Sequence, residues 1–174
     1  MNLNKLLIIL TSDKPSDEIK KNEKEIFEFI PELEVCSGFN QNNPWHIYDV
    51  YEHILKVVDG VPNNFVVRLA ALFHDIGKPF SYTVDDEGTG HFYGHWNKSL
   101  EIFERFADKN NIDSNITQVV GKLILYHDLQ IKTLSEDKYN EFLSKFTKDE
   151  IKMLFIITRA DLLAQNPKYS HLLS

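Results

Sequence analysis

From Pro15 onward, apolar residues recur mostly three and four positions apart, the period of a helix with one buried face. Ile19, Ile26, Phe27 and Ile30 share that spacing and predict a helix over 16–29, with Pro31 as its stop. A loop rich in Asn and Gln, 38–44, leads into a second helical segment at 47–58. There Ile47, Val50, Tyr51, Ile54, Val57 and Val58 form one broad face, ended by Gly60 and Pro62. The stretch 65–76 is almost wholly apolar, and its Ala70-Ala71 pair and leucines favour helix over buried strand. The helical pattern breaks at 81–93, where Tyr82, Val84, Phe92 and Tyr93 flank Asp85-Asp86-Glu87-Gly88-Thr89-Gly90, the signature of a small hairpin. Helical spacing resumes at 96–109, 116–126, 138–146 and 148–164, with Asn115 and Thr147 as helix starts. The expected architecture is all-α, an orthogonal or irregular bundle with one small β excursion. One domain over 1–174 is expected, with 1–40 as a helical lead-in packed on it.

Composition narrows the class. At 174 residues, 43% hydrophobic and 12% aromatic, the chain can bury a real core. No apolar run approaches the roughly 18 residues that cross a bilayer, and Leu6-Leu7-Ile8-Ile9-Leu10 is too short for a signal segment. One cysteine, Cys36, cannot form an internal bridge and suits a reducing, cytoplasmic setting. A net charge of −7 disfavours a nucleic-acid-coating role. A membrane protein and a disulfide-knit secreted module are therefore not expected.

The informative residues are polar ones on apolar faces. His53 shares a face with Val50 and Val57, His74 follows Ala70 and Ala71, His127 follows Leu123 and Ile124, and Asp161 follows Leu154 and Ile157. Each has an ordinary reading: a single buried histidine is more often a hydrogen-bonded core residue, and Asp161 could pair with Arg159 or cap a helix. Chance alone supplies about half an HD dipeptide in a chain of this composition, yet two occur, His74-Asp75 and His127-Asp128. Taken together, His53, His74, Asp75 and Asp161 break the apolar rule on several helices with metal-ligand chemistry, and a divalent cation removes the cost of burying them. Ile76-Gly77-Lys78-Pro79 follows the first pair, ending its helix. Lys78 could hold a phosphate beside a metal, or simply complement the helix C-terminus.

These residues resemble the HD superfamily of metal-dependent phosphohydrolases: a histidine on one helix (His53), the HD pair on the next (His74, Asp75) and a distant helical aspartate (Asp161). Asn43-Pro44-Trp45-His46, the run from Asp49 to His53, the run from Arg68 to Pro79 and Gly90-His91-Phe92-Tyr93-Gly94-His95 resemble the HD domain of bacterial CCA-adding tRNA nucleotidyltransferases. Ile30-Pro31-Glu32-Leu33 resembles the segment leading into that domain, so the likeness spans about 25–166. The Gly-rich turn and paired aspartates of the nucleotidyltransferase head have no counterpart here. The chain thus resembles the accessory domain standing alone, and CCA addition is not expected.

The resemblance implies an HD-type helical bundle in which His53, His74, Asp75 and Asp161 bind a divalent ion (Mn, Ni, Co, Fe, Mg or Zn). His95 and His127 match the extra ligands of two-metal members; the other reading is one metal, with these two histidines on the substrate phosphate. It implies hydrolysis of a phosphoester by a metal-activated hydroxide, with Lys78 offsetting phosphoryl charge and His91 or His95 giving a proton to the leaving oxygen. The implied substrate is small and nucleotide-like, a 2′,3′-cyclic phosphodiester or nucleoside monophosphate, with RNA ends as an extension. His46, like His91, is assigned to the outer shell or substrate pocket; His171 is expected on the surface. Trp45, Tyr93 and Trp96 could stack on a base or be core. Two rivals stand: an HD-fold di-iron oxygenase and a non-catalytic, metal-stabilised binding domain. Oligomeric state, and a separate nucleotidyltransferase chain as partner, stay open.

Overall fold

A computed structural model describes residues 1–168, the side chain of Lys132 aside; His171 lies outside the described residues. The run Leu6–Leu10 falls in helix α1, Leu3–Leu10, which buries Leu6, Ile9 and Leu10. The single helix expected over 16–29 is two, α2 Pro15–Lys21 and α3 Glu23–Phe29. Asn22 makes the break: its side-chain amide donates to Glu18 O at 2.8 Å, competing with the helical backbone. Pro31 does not merely stop a helix. It opens α4, Pro31–Cys36, at a first-turn position where its missing N–H costs nothing.

The second segment begins later than its apolar face suggested. Helix α5, Val50–Gly60, starts where the Asp49 carboxylate accepts the Glu52 N–H at 2.7 Å; Ile47 stays outside and exposed. The apolar stretch 65–76 is helical as expected: α6, Phe65–Phe73, opens on Asn64 and ends at His74. A 3-10 turn, Lys78–Phe80, leads into an antiparallel hairpin of β1 Thr83–Val84 and β2 Gly90–His91, in register Thr83↔His91. Then follow α7 His95–Lys109, α8 Ser114–Tyr126, α9 Glu136–Ser144 and α10 Lys148–Ala164. Asp113, not Asn115, starts α8, because its carboxylate accepts the N–H groups of Asn115 and Ile116. Thr147 and Glu150 close the expected capping box of α10. No helix among the described residues is long and apolar enough to cross a membrane.

The result is a helical bundle with one small hairpin, and α6 lies at its centre, packed against α1, α5, α7, α8 and α10. Phe73 on α6 packs against Phe103 and Phe106 of α7, with ring centroids 5.3 and 5.0 Å apart. Gly77 lets α7 approach: a Cβ there would meet His95 O and Ser99 N at 2.5 Å, so only glycine brings the start of α7 against the turn that carries Asp75.

Arg68 joins α1 to this centre. Its guanidinium is buried and donates to Leu10 O and Ser12 O at 2.6 and 2.7 Å, just past the C-terminal end of α1. Arg68→Met is therefore expected to cost about 3 kcal/mol, two charge-assisted hydrogen bonds less the gain in apolar packing. Urea unfolding followed by helical circular dichroism measures it; a cost under about 1 kcal/mol would show that α1 is held by its apolar face alone.

Candidate metal centre

Five segments carry the site. His53 lies in α5, His74 and Asp75 directly after α6, His95 at the start of α7, His127 directly after α8, and Asp161 in the last turns of α10. All six are buried. Two overlapping groups form, His53–His74–Asp75–Asp161 and Asp75–His95–His127, each with one ligand atom per residue within 4.8 Å of the others.

Asp75 is the hinge between them. Its Oδ2 lies 3.2 Å from His53 Nε2 and 3.3 Å from His74 Nε2. Its Oδ1 lies 3.1 Å from His95 Nε2 and 3.5 Å from His127 Nε2. Asp161 Oδ1 completes the first group, 2.9 Å from His53 Nε2. One carboxylate thus turns one oxygen to each group of donors.

Three of the imidazoles are oriented by backbone carbonyls. His74 Nδ1 meets Ala71 O at 2.7 Å, His127 Nδ1 meets Ile124 O at 2.7 Å, and His95 Nδ1 meets Phe92 O at 2.9 Å. A carbonyl can only accept, so each Nδ1 carries the proton and each Nε2 presents a lone pair to the cluster, as metal-binding histidines require. His53 is the exception, with its Nδ1 buried and unpartnered beside the edge of the His46 ring.

The donor set fits a divalent cation. His53 Nε2, His74 Nε2, both Asp75 oxygens and Asp161 Oδ1 are buried, yet none makes a well-formed hydrogen bond to another. They converge as ion-pair contacts with Lys78 and His53 but without hydrogen bonds, an arrangement that leaves lone pairs for a cation. Mixed imidazole and carboxylate donors suit several first-row metals. Electrostatics agree: although burial alone would raise it, Lys78 and His74 hold the Asp75 carboxyl well below its ordinary range. For His53, burial opposes the charged imidazole, but Asp161 and Asp75 outweigh it and push its pKa up to about 9.

A cavity of about 190 Å³ opens above the second group, lined by Asp75, Lys78, His91, His95, His127 and Asp161 among others. Lys78 is not a solvated helix-end lysine. It is buried, with Nζ 2.7 Å from Asp75 Oδ2. His91 sits farther out on the hairpin, its Nε2 2.8 Å from Asp85 and its ring stacked on Tyr93. His46 lines the same cavity, and burial lowers its pKa to about 3. Of the three aromatics, Tyr93 and Trp96 reach the cavity wall while Trp45 is not among its residues; Tyr93 and Trp45 are exposed rather than core. Asp128, Asn43 and Gln165 also line it, and the sequence assigned none of them a role in the site. Asp128 was legible as the second half of the second HD pair, and Asn43 as the first residue of the Asn43–His46 run; nothing local marks Gln165.

The profile of the HD domain family matches residues 45–166, which include every residue of both groups. The chain belongs to the HD domain family. Membership implies metal-dependent, phosphohydrolase-type activity, and the buried histidines and aspartates of this HD domain could hold a metal ion. The chain is 36% identical over 105 residues to a CC-adding tRNA nucleotidyltransferase of Thermus thermophilus, covering 57% of this chain and 24% of that protein. It is 27% identical over 177 residues to a bifunctional uridylyltransferase/uridylyl-removing enzyme of Corynebacterium glutamicum, covering 91% of this chain and 24% of that protein. An A-adding tRNA nucleotidyltransferase of Deinococcus radiodurans is 27% identical over 108 residues, with 59% and 25% covered. The chain therefore spans about a quarter of the length of these relatives.

Proposed function

We propose that this HD domain hydrolyses a phosphoester of a small nucleotide-like substrate, a 2′,3′-cyclic phosphodiester or a nucleoside monophosphate. The observation that carries the reading is the shared Asp75 carboxylate beneath a cavity that holds a buried lysine. His53, His74, Asp75 and Asp161 would hold one divalent ion; Asp75, His95 and His127 offer donors for a second. A bound divalent ion supplies an activated water and offsets charge on the phosphoryl oxygens.

The remaining work belongs to the chain's own groups. Lys78 adds positive charge at the cavity wall, where it can meet a phosphoryl oxygen. His95 commits Nδ1 to Phe92 O and Nε2 to the cluster, so the proton for the leaving oxygen falls to His91, oriented by Asp85. At about 190 Å³ the cavity is smaller than the roughly 300–1,000 Å³ typical of whole-ligand pockets, so it suits a phosphoryl group and part of a sugar. A base would then rest at the rim, beside Tyr93 and Trp96. The relatives' names, tRNA nucleotidyltransferase and uridylyl-removing enzyme, support nucleotidyl groups and RNA ends as the wider substrate class.

The test is a panel of phosphoesters, including 2′,3′-cyclic AMP, AMP and bis-(p-nitrophenyl) phosphate, across Mn²⁺, Ni²⁺, Co²⁺, Mg²⁺ and Zn²⁺. Turnover of a nucleotide with at least one ion is expected. Metal-loaded protein that cleaves none of them overturns the reading. Oxygen-dependent activity with a mixed-valence iron signal would replace it by the di-iron oxygenase.

A further inference from the structure

The Asn- and Gln-rich loop before α5 has a role that its composition alone does not reveal. Gln41 is 1% exposed, and both ends of its amide are used. Its Nε2 donates to Tyr48 O at 3.2 Å, and its Oε1 accepts from Lys78 Nζ at 3.0 Å. Lys78 Nζ donates to Gln41 Oε1, forms an ion pair with Asp75 Oδ2 at 2.7 Å, and lies 5.4 Å from the centroid of the Phe92 ring. Gln41 takes only one of the three ammonium N–H groups, so donors remain for whatever enters the cavity that Lys78 lines.

The loop itself is clamped. Gly90 N donates to Asn42 O at 2.8 Å, and Asn43 Nδ2 donates to Gly90 O at 3.0 Å. A Cβ on Gly90 would come within 2.1 Å of Gln41 O, so the hairpin lies directly on the backbone of Gln41. A lysine on four rotatable bonds is thereby tied to a rigid acceptor instead of sampling many positions. That acceptor is neutral, so it orients the ammonium without cancelling its charge, as a carboxylate would.

We infer that Gln41 is a positioning residue for the phosphoryl site: it holds the Lys78 ammonium at the cavity wall, independently of how Asp75 is engaged. Gln41 is not part of the cavity wall and acts only through Lys78. The identity of the anion as a phosphoryl group rests on the hydrolase reading; the Gln41–Lys78 coupling does not.

Gln41→Met is nearly isosteric and removes the acceptor. With Mn²⁺-loaded protein it is expected to weaken orthophosphate binding by calorimetry, and to raise KM for bis-(p-nitrophenyl) phosphate, about tenfold, with a smaller change in kcat. In a Lys78→Met background the same substitution should have no further effect on orthophosphate binding, because the coupling runs through Lys78. An equal loss in both backgrounds, or unchanged orthophosphate affinity with only a lower Tm, overturns the inference. In metal-free protein, the ¹⁵N spectrum of lysine ammonium groups should show a protected Lys78 signal that Gln41→Met abolishes; a persisting signal also overturns it. Should Gln41→Met not fold, Gln41→Asn, one methylene too short to reach Lys78, is read in the same way. If the wild type cleaves no phosphoester, the hydrolase reading fails, while the spectral and orthophosphate measurements still decide Gln41.

Discussion

Replacing Asp75 with Asn is expected to lower phosphoester turnover by roughly 1,000-fold or more and to leave less than about one divalent ion per chain. The reason is the split carboxylate. Oδ2 faces His53 and His74, and Oδ1 faces His95 and His127, so one substitution removes a negative donor from both groups at once. It also leaves Lys78 buried beside a neutral amide, at a cost of about 3–5 kcal/mol, typical of breaking one side of a buried pair. Helical circular dichroism should survive with a lower midpoint in urea. Elemental analysis, turnover and unfolding on one preparation separate these effects. Full metal content together with near wild-type turnover would remove Asp75 from the centre.

Loading the centre with Mn²⁺ is expected to raise Tm by roughly 8–16 °C. An ion at about 1,000 times its Kd stabilises by about 4 kcal/mol, and each kcal/mol moves a chain of this size by about 2–4 °C. The gain should depend on pH in a stated direction. In metal-free protein the His53 pKa is raised from 6.5 to about 9. Its contribution to stability is complete below the ordinary value and is lost as pH rises through about 9. Asp75 and Asp161 are lowered from 3.8, so their contribution is present above that value and is lost as pH falls below it. These three groups therefore contribute most between about pH 4 and 6.5, while His74 and His46, lowered from 6.5 by burial, work against them as pH falls below that value. A cation must displace the His53 proton, so its apparent affinity should rise about tenfold per pH unit between 7 and 9. Differential scanning with and without Mn²⁺ at pH 6 and pH 8.5 measures this; a gain equal at both values would show that His53 carries no proton to displace.

Much of the fold was legible because helical burial has a local period. Val50, Ile54, Val57 and Val58 announced α5, and Thr147 with Glu150 announced the start of α10. Failures came where short-range polar chemistry outweighed that period. Asn22 split a helix whose apolar spacing ran straight through it. Pro31 served as a first-turn residue, an outcome its identity permits as readily as a stop. Asp113 captured the N–H groups that Asn115 was expected to serve.

For the site, the amino-acid sequence determined which residues could matter: imidazoles and carboxylates on otherwise apolar faces are expensive enough to stand out wherever they fall. It marked His53, His74, Asp75, His127 and Asp161 directly, and His95 through family likeness. Tertiary structure alone decided how they meet. Lys78 turns onto Asp75 and His91 onto Asp85 within six residues, in turns whose course periodicity does not give, and Gln41 reaches Lys78 from a clamped loop. The division of the two Asp75 oxygens between two groups depends on contacts across many intervening residues. Those contacts are set by how α5, α6, α7, α8 and α10 pack around one another. Periodicity tells which side of a helix is buried; it does not tell which atoms of a neighbouring helix that side will face.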